Sequence, residues 1–146
     1  MKALIEVLLI DDNSADTDLT AEFLKRSDRA IHLQRVSDGI EAMAFLHREG
    51  KYSGAIKPQL IMLDLNMPGK NGWEVLIDLK SDSALRAITV VIFTTSRATK
   101  DIDRCLQLGA NSYVSKPNNL EDYASTVNAI GTYWFDVASM LRLEGL

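Results

Sequence analysis

Apolar residues gather in short runs along this chain, and the runs are of two kinds. Segments 4–10, 60–63 and 88–93 are almost wholly apolar, which is typical of strands in a parallel sheet that is covered on both faces. Segment 31–36 alternates apolar and polar residues, which favours an edge strand. A further short run ends at Lys116 and supplies the fifth predicted strand.

Between these runs, apolar residues recur at the three- or four-residue spacing of helices. The predicted helices are 15–26, 38–48, 73–81, 99–108 and a long last one at about 120–142. We expect N-caps at Ser14, Ser37 and Asn71, and C-terminal stops at Gly50 and Gly109. Successive strand–helix units with right-handed crossovers predict an α/β fold, a three-layer sandwich around a parallel sheet, in one domain spanning 1–146.

Chemically active residues follow the predicted strands at their carboxyl ends. Asp11 and Asp12 follow the first strand, Asp64 follows the third, Thr94 ends the fourth and Lys116 ends the fifth. The carboxyl ends of parallel strands lie along one edge of the sheet, so we expect these side chains to share a pocket. Crowded carboxylates repel each other unless a cation lies among them, and Mg²⁺ fits best because it accepts carboxylates, waters and a phosphoryl oxygen. The pattern predicts a phosphoryl group held on Asp64.

Composition narrows the possible partners. The 146 residues carry a net charge of -4 without a basic run, which argues against nucleic acid as a direct partner. No apolar stretch approaches the roughly 20 residues of a membrane span, and the first residues lack a signal-peptide cleavage site. A single cysteine, Cys105, cannot form an intramolecular disulfide. We expect a soluble cytoplasmic domain.

This set of residues resembles the response regulator receiver domain of two-component signalling. The resemblance covers nearly the whole chain and rests on the acidic pair after the first strand, on LIMLDLNMPGKNGWEVL around Asp64, on Thr94 and on GANSYVSKP around Lys116. It implies a flavodoxin-like fold with the five strands in the order 2-1-3-4-5. It also implies a phosphoacceptor that assists its own phosphorylation and dephosphorylation, not an enzyme, and a cis peptide bond between Lys116 and Pro117.

The resemblance assigns a metal site and a phosphodonor. Asp64 would accept a phosphoryl group from the phosphohistidine of a sensor histidine kinase. Asp12, Asp64 and the backbone carbonyl of Asn66 would bind Mg²⁺ directly, whereas Asp11 would act through a metal-bound water.

The resemblance also assigns the residues that respond to the phosphoryl group. Lys116 would pair with one phosphoryl oxygen, and Thr94 would move to bond another. The amide N–H groups of Asn66 and Thr95 would be further donors. Tyr113 matches an aromatic switch position and would turn inward as Thr94 moves.

Two other functional classes remain open at this stage. Phosphatases of the haloacid dehalogenase type also place a nucleophilic aspartate after a strand, but their acid lies two residues later, where this chain has Asn66, which cannot act as a proton-donating acid. A degenerate receiver that serves only as a binding module is the other alternative. Each residue taken alone also has an ordinary structural explanation, so the prediction rests on their joint occurrence in the right strand order.

Four segments resemble those of the stand-alone response regulators paired with cyanobacterial phytochromes. They are the polar segment 48–58 and the sequences TTSRAT, KPNNLEDY and YWF. This resemblance implies a phytochrome-type kinase as phosphodonor, with chemotaxis-type and phosphorelay receivers as alternatives. The chain stops at Leu146 without room for a second domain, so we expect it to act through its own surface.

The last predicted helix carries an apolar seam with heptad spacing. Its members are Tyr123, Val127, Ile130, Trp134, Val137 and Leu141. Phe135 is expected to leave the seam and add apolar surface. We therefore predict a homodimer or partner interface formed by the fourth helix, the fifth strand and the extended last helix.

Overall fold

The computed structural model describes residues 4–26 and 29–140, and strands and helices alternate within them. The strands are β1 (Ile5–Ile10), β2 (Ile31–Val36), β3 (Leu60–Leu63), β4 (Thr89–Thr94) and β5 (Ser112–Ser115). The helices are α1 (Ser14–Lys25), α2 (Gly39–Leu46), α3 (Gly72–Ser81), α4 (Thr99–Gln107) and α5 (Leu120–Gly131). A 3₁₀ turn, Gly50–Tyr52, interrupts the connection before β3. In the part of the chain that is described, no helix is long and apolar enough to cross a bilayer.

The strands form one parallel sheet in the order β2-β1-β3-β4-β5. This confirms the predicted fold class and strand order. Every residue of β3 and β4 is buried, whereas β2 is mostly half-exposed, as expected for an edge strand.

Alternate residues of each strand point to opposite faces of the sheet, and each face has its own apolar core. Leu8 and Ile10 of β1 pack on the side of α2 and α3, whereas Val7 and Leu9 pack on the side of α1 and α5. Burying such a side chain stabilises the fold by about 1.5–3 kcal/mol. Cores on both faces fix the central strands, and this fixes the positions at which the strand ends present their polar side chains.

The structure confirms one of the three predicted helix N-caps and corrects the other two. Asn71 caps α3 as predicted, and a Glu74 side chain completes a capping box. The other two caps are Asn13 and Asp38 rather than Ser14 and Ser37. The Asn13 and Asp38 side chains accept from amides three residues later, at 3.1 and 2.8 Å.

One of the two predicted helix stops is also corrected. Gly109 follows α4 with a φ of +106°, as expected of a C-terminal stop. Gly50 does not stop α2, because that helix ends at Leu46 and the left-handed residue after it is Arg48, with a φ of +56°.

The last helix is shorter than predicted. Regular α-helix ends at Gly131, residues Thr132–Val137 continue as a wider π-helical turn, and Ala138 is extended. A π turn holds more residues per turn than an α-helix, so the heptad register is lost beyond it. Val137 is 69% exposed as a result.

The aromatic pair in this turn lies inward, contrary to the prediction for Phe135. Trp134 and Phe135 are both half-buried and both pack against the core on the α1–α5 side. The seam therefore covers the sheet through Tyr123, Val127 and Ile130, and Leu141 lies outside the described residues.

A contact from the α1–β2 connection holds the π turn. The Arg29 guanidinium donates to the Asp136 carboxylate at 2.8 Å and to the Thr132 hydroxyl at 3.0 Å. Gly131 makes room for it, because a Cβ there would lie 2.9 Å from an Arg29 nitrogen. A contact made more than 100 residues away along the chain thus shapes the end of α5.

Candidate functional site

The carboxylates predicted at the strand ends meet at the carboxyl edge of the sheet. One ligand oxygen each from Asp11, Asp12 and Asp64 lies within 4.8 Å of the others. Asp64 is buried at the end of β3, whereas Asp12 is exposed. Oxygen donors of this kind suit a hard divalent cation, so the set fits Mg²⁺.

Lys116 brings positive charge to this cluster. It is 3% exposed, and its Nζ donates to Asp11 at 2.6 Å, to Asp16 at 2.8 Å and to Asp64 at 3.4 Å. A lysine ammonium has three N–H donors, so these bonds use its full capacity. The juxtaposition of Lys116 with Asp11 and Asp64 agrees with the sequence-based prediction.

Asp16 is the residue that sequence reasoning missed. It lies in the first turn of α1, which begins directly after the end of β1. A carboxylate in that turn is therefore held over the same edge of the sheet as Asp11. Position in the first turn after β1 is therefore the sequence signal for Asp16. Using this signal requires the start of α1 to be placed correctly.

Burial and ion pairing shift the pKa values of Asp11 and Lys116. Burial raises the pKa of Asp11 to about 6, although the bond from Lys116 acts in the opposite direction. Burial alone would lower the pKa of Lys116, but its bonds to Asp11 and Asp16 outweigh this and raise that pKa above its ordinary value. Lys116 is therefore a permanent cation at any physiological pH.

Protons and metal ions are expected to compete at Asp11. As the pH falls below about 6 the carboxyl takes up a proton, so the Mg²⁺ affinity should fall, by at most about tenfold per pH unit. Isothermal titration between pH 5 and 7.5 measures this. A pH-independent Kd would contradict the assignment of Asp11.

The stability of the metal-free protein should change with pH in the opposite sense. The folded state binds the Asp11 proton more tightly than the unfolded chain does, so protonation of Asp11 stabilises the fold at low pH. This contribution is lost as the pH rises through about 6.

The loop after Asp64 is held by close backbone approaches. Gly72 opens α3 and donates its N–H to the Leu65 carbonyl at 3.1 Å. A Cβ on Gly72 would lie 2.1 Å from the carbonyl oxygen of Asp64, and a Cβ on Gly39 would lie 2.3 Å from that of Lys70. Glycine at both positions lets α2 and α3 pack directly against the loop that carries the predicted phosphoacceptor.

Thr94 and Asn66 lie beside Asp64, and Thr95 lies on the Lys116 side. The amide of Asn66 donates to Asp64 at 3.3 Å, and its side chain reaches the fully buried Thr94 hydroxyl at 3.5 Å. Thr95 is exposed and lines a groove with Asp16 and Lys116. Its amide as a phosphoryl donor remains a prediction.

Tyr113 is tied to the loop that follows Thr94. Its hydroxyl donates to the carbonyl of Ser96 at 2.9 Å, and its half-buried ring packs against the core on the α2–α3 side. Burial raises the pKa of Tyr113, so the phenol keeps its proton and remains a donor. Any movement of the β4–α4 loop must change this bond.

The peptide bond between Lys116 and Pro117 is not cis, and neither is any other peptide bond in residues 4–26 or 29–140. This corrects the expectation drawn from the family. The preference of an X-Pro bond for trans is only about 0.5–1 kcal/mol, so sequence alone does not determine the isomer.

A family model described as the response regulator receiver domain matches residues 7–128, which include every predicted site residue. The chain belongs to this family. The receiver is 39% identical over 134 residues to the response regulator Rcp1 of Synechocystis sp., covering 92% of this chain and 91% of Rcp1. It is also 36% identical to a probable methanogenesis regulatory protein, FilR2, of Methanothrix harundinacea, over 88% of this chain and 82% of that protein.

Solved structures agree with this assignment. The receiver superposes on the phosphorylated cyanobacterial phytochrome response regulator RcpA with a TM-score of 0.92 and 40% identity, covering 96% of this chain and all of RcpA. It superposes on the Mn²⁺-bound form of Rcp1 with a TM-score of 0.91 and 38% identity, over 94% and 99% of the two chains. The family match identifies the chain as a receiver domain and disfavours the alternative, a phosphatase of the haloacid dehalogenase type.

Proposed function

We propose that the receiver accepts a phosphoryl group from the phosphohistidine of a sensor histidine kinase onto Asp64. The observation that carries this proposal is the arrangement around Asp64: a buried carboxylate lies 3.4 Å from a buried lysine ammonium and beside two further carboxylates. An Asp64 oxygen would attack phosphorus, the P–N bond would break, and its electron pair would stay on the imidazole. The transferred group would lie where Lys116 can neutralise it.

The proposed site needs a divalent cation as well as the lysine. Asp12, Asp64 and the Asn66 carbonyl would hold Mg²⁺ directly, and Asp11 would act mainly through a metal-bound water. When bound, Mg²⁺ supplies charge neutralisation for the incoming phosphoryl oxygens. The Mn²⁺-bound form of the similar protein Rcp1 supports the binding of a divalent metal, and the cluster of Asp11, Asp12 and Asp64 is where we propose that it binds. The Asn66 and Thr95 amides and the Thr94 hydroxyl would donate to the remaining oxygens.

The proposed phosphodonor is a kinase of the phytochrome type. Its support is the similarity to Rcp1 and RcpA along nearly the full length of both proteins. Phosphotransfer from a panel of histidine kinases identifies the donor, and a strong preference for a chemotaxis or phosphorelay kinase would contradict the phytochrome pairing. We also propose that the reaction takes place in the cytoplasm and that the receiver binds neither nucleic acid nor a membrane directly.

The proposed output is a change in the surface formed by α4, β5 and α5. Thr94 would move toward the phosphoryl group, and the bond from Tyr113 to Ser96 would report this movement to α4. Leu106 and Tyr133 are exposed apolar residues on or next to this surface, which supports a homodimer there. Light scattering before and after phosphorylation tests the dimer, and a monomer in both states would contradict it.

The test of the central proposal is phosphorylation by a small phosphodonor such as phosphoramidate in the presence of Mg²⁺. We expect one phosphoryl group per chain, slow loss by autodephosphorylation, no label in EDTA, and no label on Asp64→Asn. The exposed Asp103 of α4 gives the control, since Asp103→Asn should label normally. Absence of label on the unaltered chain would favour the degenerate binding module instead.

A further inference from the structure

We propose that Asp16 is a positioning residue for the phosphoryl chemistry, acting through Lys116. The proposal rests on the function proposed above and adds a residue to it. Asp16 bonds to the Lys116 ammonium at 2.8 Å, a shorter distance than the 3.4 Å from that ammonium to Asp64.

The position of Asp16 is fixed by two helices. Its backbone amide donates to the Asn13 side chain at 3.1 Å, which caps α1. Its carbonyl accepts from the Tyr123 hydroxyl of α5 at 3.2 Å, and that hydroxyl lies 2.8 Å from the Thr20 hydroxyl. The carboxylate therefore stands on a rigid backbone, as a group that positions another side chain requires.

Asp16 also differs chemically from the other acids that bond to Lys116. Asp11 and Asp64 belong to the carboxylate group that fits a metal ion, and among the described residues Asp16 lies outside that group. With a cation and a phosphoryl group bound, Asp11 and Asp64 would share their negative charge with other groups and would attract the ammonium less. Asp16 would keep its bond and could hold Lys116 in place through the whole reaction.

Holding Lys116 in place has two consequences for the rate. Together with Asp11 at 2.6 Å, Asp16 keeps the ammonium 3.4 Å from the Asp64 oxygen, and so long a bond leaves that oxygen able to attack. It also restricts a side chain with four rotatable bonds, so the ammonium is already oriented for the phosphoryl oxygens. Loss of Asp16 should slow phosphorylation without removing the phosphoacceptor or the metal ligands.

The experiment compares Asp16→Asn with the unaltered chain, using phosphoramidate and saturating Mg²⁺. We expect the first-order rate constant at saturating donor to fall by about tenfold. The half-saturating donor concentration and the Mg²⁺ affinity should change little. Asp18→Asn is the matched control, because Asp18 lies on the same helix, is exposed and pairs with Arg35 instead.

A double-mutant cycle separates positioning from general destabilisation. In a Lys116→Ala background, Asp16→Asn should cause no further loss of rate, because its effect passes through the ammonium. An equal loss in both backgrounds would overturn the proposal. So would an Asp16→Asn variant that is phosphorylated as fast as an active unaltered chain. If the unaltered chain takes up no phosphoryl group, the proposed function fails and this role fails with it.

Discussion

Replacing Gly72 with alanine is expected to destabilise the receiver by about 3 kcal/mol and to disrupt the proposed phosphoryl site at the same time. The added Cβ would meet the carbonyl oxygen of Asp64 at 2.1 Å and the Cα of Leu65 at 2.7 Å. Both are backbone atoms, so no side chain can move aside to make room. Either α3 must shift away from the sheet or the end of β3 must be displaced.

The displacement would fall on the proposed phosphoacceptor. Asp64 leads directly into the loop that Gly72 closes through its bond to Leu65. Urea unfolding measures the loss of stability, and phosphoramidate labelling measures the loss of function. The Gly72→Ala variant should show both losses, because one backbone contact causes both.

Gly54→Ala is the matched control for this substitution. No atom lies within 4 Å of a Cβ added there, and Gly54 is exposed. Its stability and labelling should remain near those of the unaltered chain. Equal behaviour of the two alanine variants would show that the close approach at Gly72 is not a constraint.

Replacing Lys116 with methionine should produce the second large effect. Removing one partner of a buried ion pair costs about 3–5 kcal/mol, because the remaining charges stay buried without compensation. Here Asp11 and Asp64 would be left beside Asp16 with no ammonium among them. We expect loss of stability at neutral pH in metal-free buffer and severe loss of phosphorylation.

Mg²⁺ and protons should each restore part of the stability of Lys116→Met. A cation among the carboxylates replaces the missing charge, so Mg²⁺ should stabilise this variant more than the unaltered chain. Without the lysine, Asp11 loses the bond that lowers its pKa, so that pKa rises further and the stability deficit should shrink as the pH falls from 7.5 to 5. Urea unfolding with and without Mg²⁺ at both pH values measures these effects.

Lys25→Met provides the comparison, because Lys25 is exposed at the last turn of α1. Its stability should show neither the deficit nor the additional response to Mg²⁺. A Lys116→Met variant that unfolds like Lys25→Met would contradict the electrostatic account of the site.

The predictable part of the site depends on rules that need only strand order. Asp11, Asp12, Asp64 and Lys116 each follow a strand, and parallel strands bring their carboxyl ends together whatever the details of packing. Asp16 follows no strand. Its place in the site depends on where α1 starts and which way its first turn faces, and the start was predicted one residue late because Asn13 and Ser14 are both good caps.

The end of α5 was mispredicted for a different reason. Heptad spacing extrapolates a regular helix, and nothing in the local sequence shows that Arg29 will hold Thr132 and Asp136. The sequence likewise presents segment 48–58 only as polar, whereas its Tyr52 packs edge-on against Phe45 at a ring separation of 5.4 Å. Both features come from contacts between distant segments, which periodicity does not contain.

The wide separation in sequence between Lys116 and its acidic partners has a consequence for the protein as it is made. Asp11 and Lys116 are 105 residues apart, and β5 adds to the outer edge of the sheet beside β4. A ribosome delivers all the acids of the site before it delivers the lysine. Chains whose synthesis has not reached β5 therefore lack the ammonium that pairs with these carboxylates. We expect such fragments not to accept a phosphoryl group, so competence for the proposed phosphotransfer should arise only after β5 has been made.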